Sequence, residues 1–240
     1  MTMTSPILVT GGTGTLGRLV VPRLRDAGRN VRVLSRRSRE GEEGVRFVTG
    51  DLATGEGLEA AVDGVETIVH LAGTAKGDED KARSLVRAAS QAGAQHLVYI
   101  SVVGAERIPV VSHTDRAMFG YFAGKRAAEK VVADSGLPWT TLRATQFHDL
   151  MLTVAQQIAK LPVVPVPAGF RFQPIDADEV AARLVELTLG EPTRAARKSS
   201  QVRRPIAPSG ARFAPARRAR AAPPGSQSGR IRRRIPWARR

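Results

Sequence analysis

Short apolar runs alternate with longer amphipathic ones along the first 190 residues. Residues 7–9, 31–34, 45–48, 67–71, 96–100 and 139–142 are runs of three to five residues, mostly apolar and β-branched, with the length of buried strands. Residues 15–27, 55–62, 78–92 and 116–135 instead predict helices, and 150–160 and 178–189 read as later ones. Gly28, Gly93 and Gly136 each follow such a helical run, where a residue with positive φ closes a helix C-terminus. Buried strands separated by helices predict βαβ units and a parallel sheet. Right-handed crossovers then wind that sheet in both directions, so the expected fold class is α/β, a Rossmann-type doubly wound parallel sheet. A body of this size buries about 70% of the surface of its unfolded chain, enough for a sound core.

The pattern stops near residue 191. Residues 192–240 contain no leucine and few large apolar residues, among them Phe213 and Trp237. So little apolar surface cannot offset the entropy of ordering the segment, which is read as a disordered tail beyond a cofactor-binding domain spanning 1–191. The tail also explains the charge. It holds fifteen Lys and Arg and no acidic residue, so the net charge of +15 belongs to it, and residues 1–191 balance 22 basic against 22 acidic side chains. Such a tail binds phosphates without sequence preference, so contact with nucleic acid is expected to be incidental. With two aromatic residues, it gives base stacking little support. Its Arg/Ala/Pro/Gly composition is that of GC-rich coding DNA read out of frame. A shifted frame is therefore the working hypothesis, and a tryptic peptide from 205–240 in the native protein would refute it.

Composition removes several chemistries. The chain has no cysteine, which excludes disulfides, thiolate catalysis and Cys-ligated metals. The histidines at 70, 96, 113 and 148 lack paired ligand spacing, so no metal is expected. No secretory leader and no apolar stretch of membrane-spanning length is visible, and a cytoplasmic protein without membrane contact is the expectation. Oligomeric state is not set by the sequence.

The first strand runs into Thr10-Gly11-Gly12-Thr13-Gly14-Thr15-Leu16-Gly17 and then a helix. Gly12, Gly14 and Gly17 fit GxGxxG, and Thr10, Gly11, Gly14 and Gly17 fit TGxxGxxG. Such glycines allow a tight turn, close backbone approach to a pyrophosphate and close helix–strand packing, while the helix start supplies free N–H groups. Gly11 through Gly17 are therefore cofactor-binding candidates. The second strand ends in Ser35-Arg36-Arg37 rather than in an acid for a ribose 2′-hydroxyl. Guanidinium groups suit a 2′-phosphate, which favours NADP(H) over NAD(H); the plain alternative is a solvated surface run. Asp51-Leu52 after the third strand is placed for the adenine, although Asp51 also reads as a plain helix cap. Ala72-Gly73 after the fourth is placed for the ribose and nicotinamide.

Tyr121 and Lys125 form a YxxxK on one helix face. A nearby ammonium lowers a phenol pKa, and Tyr121 can then serve as the proton donor to a carbonyl oxygen. The alternative is a core tyrosine beside a surface lysine. With these motifs, residues 10–189 resemble the short-chain dehydrogenase/reductase superfamily, and most closely its atypical, NmrA-like NAD(P)H-binding branch. Tyr99-Ile100-Ser101 with Gly104 resembles its fifth strand, Ser135 through Arg143 its sixth-strand entry, and Pro174 through Ala181 its late-helix entry. The resemblance implies a catalytic set of Tyr121, Lys125 and Ser101. It departs in the Val102-Val103 that follows Ser101. It implies a reductase of an unidentified small carbonyl or hydroxyl compound, and alternatively a cofactor-sensing regulator without turnover. Gln146-Phe147-His148-Asp149 lies on the substrate side, where His148 reads more simply as an ordinary loop histidine. The proline-stiffened stretch 161–167 is a candidate pocket wall or an edge strand.

Overall fold

The computed structural model describes residues 5–74, 77–107, 113–160 and 173–198. Seven strands, β1 (Ile7–Thr10), β2 (Val31–Ser35), β3 (Val45–Thr49), β4 (Thr67–His70), β5 (His96–Val102), β6 (Trp139–Ala144) and β7 (Ala195–Lys198), form one sheet. Their order is β3-β2-β1-β4-β5-β6-β7, every neighbouring pair parallel. The winding reverses between β1 and β4, and a crevice opens there at the strand C-termini, where such folds take ligands.

Alternation along the strands divides the core. Ile7, Val9, Val33, Val69, Val98 and Ile100 face α1 (Gly17–Asp26) and α6 (Ala177–Leu189). Leu8, Leu34, Ile68, Leu97 and Tyr99 face α2 (Leu58–Val62), α3 (Asp78–Gln91) and α4 (His113–Ala133). A strand covered on both faces buries every position, which is why the sequence shows apolar runs rather than an apolar–polar alternation. Gly28, Gly93 and Gly136 take positive φ where α1, α3 and α4 stop. Asp176 caps α6 by accepting from the Asp178 N–H at 2.9 Å, and Arg23 on α1 meets Asp178 at 2.5 Å. α5 (His148–Ile158) lies between β6 and α6 in the chain.

One expectation is corrected. Part of the segment read as a disordered tail is ordered, because residues 195–198 form β7. The Arg194 N–H donates to the Trp139 carbonyl at 2.8 Å and the Thr193 N–H to the Thr140 hydroxyl at 3.1 Å. The free edge of β6 supplies the pairing that Ala195-Ala196-Arg197-Lys198 would not nucleate alone. Residues 199–240, and the stretch 161–167, lie outside the described residues. Among the described residues no helix is long and apolar enough to cross a membrane.

Candidate functional site

The glycine loop sits at the C-terminal end of β1. Gly14 N–H donates to the Gly11 carbonyl at 3.0 Å, and Arg18 N–H to the Gly14 carbonyl at 3.0 Å, turning the chain into α1. Gly11 has φ +72°, and a Cβ there would lie 2.6 Å from the Ala72 nitrogen, so the β1 and β4 loops touch backbone to backbone. A Cβ at Gly17 would lie 2.3 Å from the Gly11 carbonyl oxygen, and one at Gly12 would lie 2.7 Å from Val33. Gly14 is different: it is exposed, and its Cβ would meet only the Gly11 oxygen at 3.3 Å. No side chain caps the start of α1, and its first turn carries no acid. An uncapped helix start behind an open glycine fits an anionic pyrophosphate. Thr13 and Thr15 flank that opening, while Leu16 is buried in the core.

At the end of β2, the Ser35 hydroxyl donates to the Arg37 carbonyl at 2.8 Å and accepts from the Arg37 N–H at 3.2 Å. This small turn presents Arg36 and Arg37 to solvent. Asp51 accepts from the Ala53 N–H at 2.8 Å within a turn, and the residue at the start of α2 is Gly57 rather than Asp51, while Leu52 packs in the core with Leu34 and Leu58. Only the backbone of Leu52 is therefore open to a ligand.

A buried polar cluster lies under the β4 loop. Lys125 is 4% exposed, and its ammonium stands 3.1 Å from Asp78 Oδ2 and 3.4 Å from both the Tyr99 hydroxyl and the Ile100 carbonyl. Asp78 Oδ1 accepts from the Thr74 N–H at 2.7 Å. Gly73 makes room for the lysine, since a Cβ there would lie 2.8 Å from Lys125 Nζ. His70 hydrogen-bonds Thr10 at 2.6 Å and stacks on Tyr99 with ring centroids 5.3 Å apart. Burial, reinforced by Lys125, holds the His70 imidazole down to about 3, so it is neutral.

Tyr121 is 43% exposed, with its ring centroid 6.0 Å from Lys125 Nζ. The burial pattern is thus the reverse of a core tyrosine beside a surface lysine. One detail of the sequence argument is corrected: the Tyr121 phenol is pushed above its ordinary value, by desolvation first and by Asp78 second. Ser101 lies on β5 two residues after Tyr99, on the same strand face, and its buried hydroxyl has no hydrogen-bond partner among the described residues. His148 is exposed at the start of α5, and its N–H donates to the Ile175 carbonyl at 3.3 Å. A hollow of about 240 Å³ between α4, β6 and β7 is lined by none of the predicted site residues, and its Arg143 is held by Glu129 at 2.6 Å. The sequence reading gave no site role to Asp78 or His70, and it used Thr10 only as the start of the glycine motif and Tyr99 only as part of the fifth strand. Asp78 stands among three acids at a helix start, and His70 on an apolar strand.

A doubly wound parallel sheet with an uncapped helix and a glycine turn at its switch point defines a dinucleotide-binding Rossmann protein. The chain belongs to the NAD(P)H-binding family, whose profile matches residues 11–190. This agrees with the resemblance to the atypical short-chain branch and makes a nicotinamide dinucleotide the cofactor class. The chain is 34% identical over 161 residues to a (4-alkanoyl-5-oxo-2,5-dihydrofuran-3-yl)methyl phosphate reductase of Streptomyces griseus, covering 66% of this chain and 54% of that one. It is 30% identical over 185 residues to an NAD(P)H azoreductase of Xenophilus azovorans, covering 75% and 62%. The fold is similar to that of an NADPH-dependent quinone oxidoreductase of Escherichia coli, with a TM-score of 0.63, 21% identity, and 80% and 66% coverage. The chain thus spans between half and two thirds of the length of these curated relatives.

Proposed function

We propose that the protein is an NADP(H)-dependent oxidoreductase of the atypical short-chain type that reduces a small carbonyl-like substrate. The observation that supports this reading is the solvent-facing Tyr121 beside a buried Lys125 that packs against Gly73 of the β4 loop. The uncapped start of α1, with Gly11 through Gly17, would hold the pyrophosphate. Arg36 and Arg37 would take a 2′-phosphate, Asp51 and the Leu52 backbone would meet the adenine, and Ala72-Gly73 would border the ribose. When bound, the dinucleotide supplies the hydride. Tyr121 would donate its phenol proton to the oxygen being reduced; a phenol holds that proton at neutral pH at its ordinary value, and burial and Asp78 push it up rather than down. The Ser101 hydroxyl, lacking a partner among the described residues, is free to hydrogen-bond the same oxygen. The reductases among the relatives support the reaction class.

Calorimetric titration of the full chain with NADPH and NADH, at a salt concentration that screens the basic segment, tests the cofactor half. NADPH should bind at least about 10-fold more tightly, the equivalent of one charge-assisted hydrogen bond. The chemical half is tested by NADPH consumption across a panel of aldehydes, ketones and quinones. Tyr121→Phe should abolish turnover and leave NADPH affinity within about twofold, since a hydroxyl used only in the reaction adds nothing to ground-state binding. A chain that binds NADPH but reduces nothing in the panel, with or without Tyr121, would favour the cofactor-sensing alternative.

A further inference from the structure

We infer that His96 is an acid-sensitive latch on β7: as a neutral imidazole it completes the hydrogen bonds that hold the start of β7 against β6, and a proton on the ring releases them. The latch is independent of the proposed function. It sits at the N-terminal ends of the strands, whereas the glycine loop follows the C-terminal end of β1. Its centre is the hydroxyl of Thr140, a fully buried residue of β6. That oxygen lies 3.0 Å from His96 Nε2 on β5, and it accepts the Thr193 N–H at 3.1 Å and the Thr193 hydroxyl at 3.3 Å. One side chain therefore joins β5, β6 and the segment that leads from α6 into β7. A hydroxyl has two acceptor sites and one proton to give. With both acceptor sites turned to Thr193, Thr140 donates to His96 Nε2, which leaves the imidazole proton on Nδ1.

A protonated His96 carries N–H on both ring nitrogens, so Nε2 becomes a donor facing an oxygen whose acceptor sites are taken. One of the Thr193 bonds must then yield. The next residue makes that loss consequential. Arg194 has φ +49°, a left-handed conformation that costs a residue with a side chain free energy. It is held there by the Thr193 bonds on one side and by its own N–H, which donates to the Trp139 carbonyl at 2.8 Å. Beyond it, β7 stands at the edge of the sheet, and its Ala195-Ala196 start is exposed, so no apolar anchor replaces the lost bond. The charge acting on the ring is Glu191, from the same segment, which favours the proton; burial outweighs it and holds the imidazole below its ordinary value. Glu66, ahead of β4, meets His96 through its carbonyl, which accepts the His96 N–H at 3.0 Å, and β6 contributes the uncharged Trp139 and Thr140.

Hydrogen exchange at the Thr193 and Arg194 amides of the full chain, corrected for the intrinsic effect of pH, reads the latch. Opening returns the ring to its ordinary midpoint of 6.5, so the hold is complete above that pH and weakens below it. The opening equilibrium should rise by about 10-fold for each pH unit below 6.5 until the latched form itself takes up the proton. His96→Gln, which takes up no proton in this range, should remove the slope. Both amides should also open more readily than that of Leu71, which donates to the Thr10 carbonyl at 3.0 Å between β1 and β4. A flat response in the unaltered protein, or a slope that survives His96→Gln, overturns the inference. So does opening no greater than that of Leu71, because β7 would then leave only when the whole sheet unfolds. Should His96→Gln not fold, the ring ¹⁵N shifts of the unaltered protein decide the matter. At neutral pH they should place the His96 proton on Nδ1; a proton on Nε2 overturns the inference. These readouts need no cofactor or substrate.

Discussion

Gly17 and Gly14 belong to the same motif, yet the structure gives them different work, and alanine substitution separates the two. At Gly17 an added Cβ would lie 2.3 Å from the Gly11 oxygen and 2.4 Å from Gly12 backbone atoms. All are main chain, and the Gly11 segment is itself held against Ala72, so no side chain can swing aside. Restoring ordinary contact requires α1 to withdraw from β1 by about 1 Å, and overpacking of this kind costs about 1–3 kcal/mol. The better helix propensity of alanine returns less than about 1 kcal/mol of that. Gly17→Ala should therefore lower the urea midpoint and also weaken NADPH, because the N–H groups of α1 move with the helix. At Gly14 the Cβ would meet only one atom, at 3.3 Å, and would otherwise stand in the opening where the phosphates are expected. Gly14→Ala should leave stability within about 0.5 kcal/mol, as surface changes do. It should still weaken NADPH by about 10- to 100-fold, the loss of one charge-assisted hydrogen bond. Urea unfolding and calorimetry on both variants settle it. Equal stability losses at the two positions, or Gly14→Ala with unaltered NADPH affinity, would refute the assignment of packing to one glycine and phosphate approach to the other.

Replacing Arg36 and Arg37 together by alanine should reduce NADPH affinity by about 10- to 100-fold and leave NADH unaffected, as the loss of charge-assisted bonds to a 2′-phosphate would; equal losses for both cofactors would mean the arginines act elsewhere. The His70 imidazole is held near 3 when folded, against an ordinary 6.5. The unfolded chain therefore takes up a proton that the native protein refuses. The stabilisation is complete above about pH 6.5 and is lost toward pH 3, at up to about 1.4 kcal/mol per pH unit. Urea midpoints for His70→Gln should accordingly fall less steeply with acid than those of the unaltered protein, and parallel slopes would show that His70 does not carry the effect. A chain ended after Lys198 should unfold like the full chain, whereas one ended after Glu191 should lose about 2–4 kcal/mol, at about 1 kcal/mol for each ladder hydrogen bond between β6 and β7; identical thermal midpoints would mean β7 contributes nothing.

β1, β4 and β5 were legible because they are buried along nearly their whole length and read as largely apolar runs, while β2, β3 and β6, interrupted by Arg32, Arg46 and Thr140-Thr141, were legible from their β-branched and aromatic residues. The stops at Gly28, Gly93 and Gly136 were legible because positive φ selects one residue type. The glycine loop was legible for a related reason: its spacing reflects contacts made within the loop and with the adjacent strand. β7 was not, since Ala195-Ala196-Arg197-Lys198 has no strand signature of its own and takes its conformation from the β6 edge. Nor was the Lys125 environment. A YxxxK spacing reports that two side chains share a helix face, but not that the lysine points inward to a carboxylate from another helix. Asp78 lies 47 residues earlier in the chain, within an Asp-Glu-Asp run that helix-start preference explains equally well. The pairing became visible only once α3 and α4 were packed side by side.

The backbone contact between Gly11 and Ala72 has a thermodynamic consequence. The lip that would receive the phosphates and the lip that would border the nicotinamide ribose are fastened to each other by folding itself, before any ligand arrives. A dinucleotide bound there would meet two loops already joined, and binding would not have to immobilise one against the other. Most of the ordering entropy is taken up in forming the sheet, and binding energy is left for discrimination between cofactors rather than for assembling the crevice.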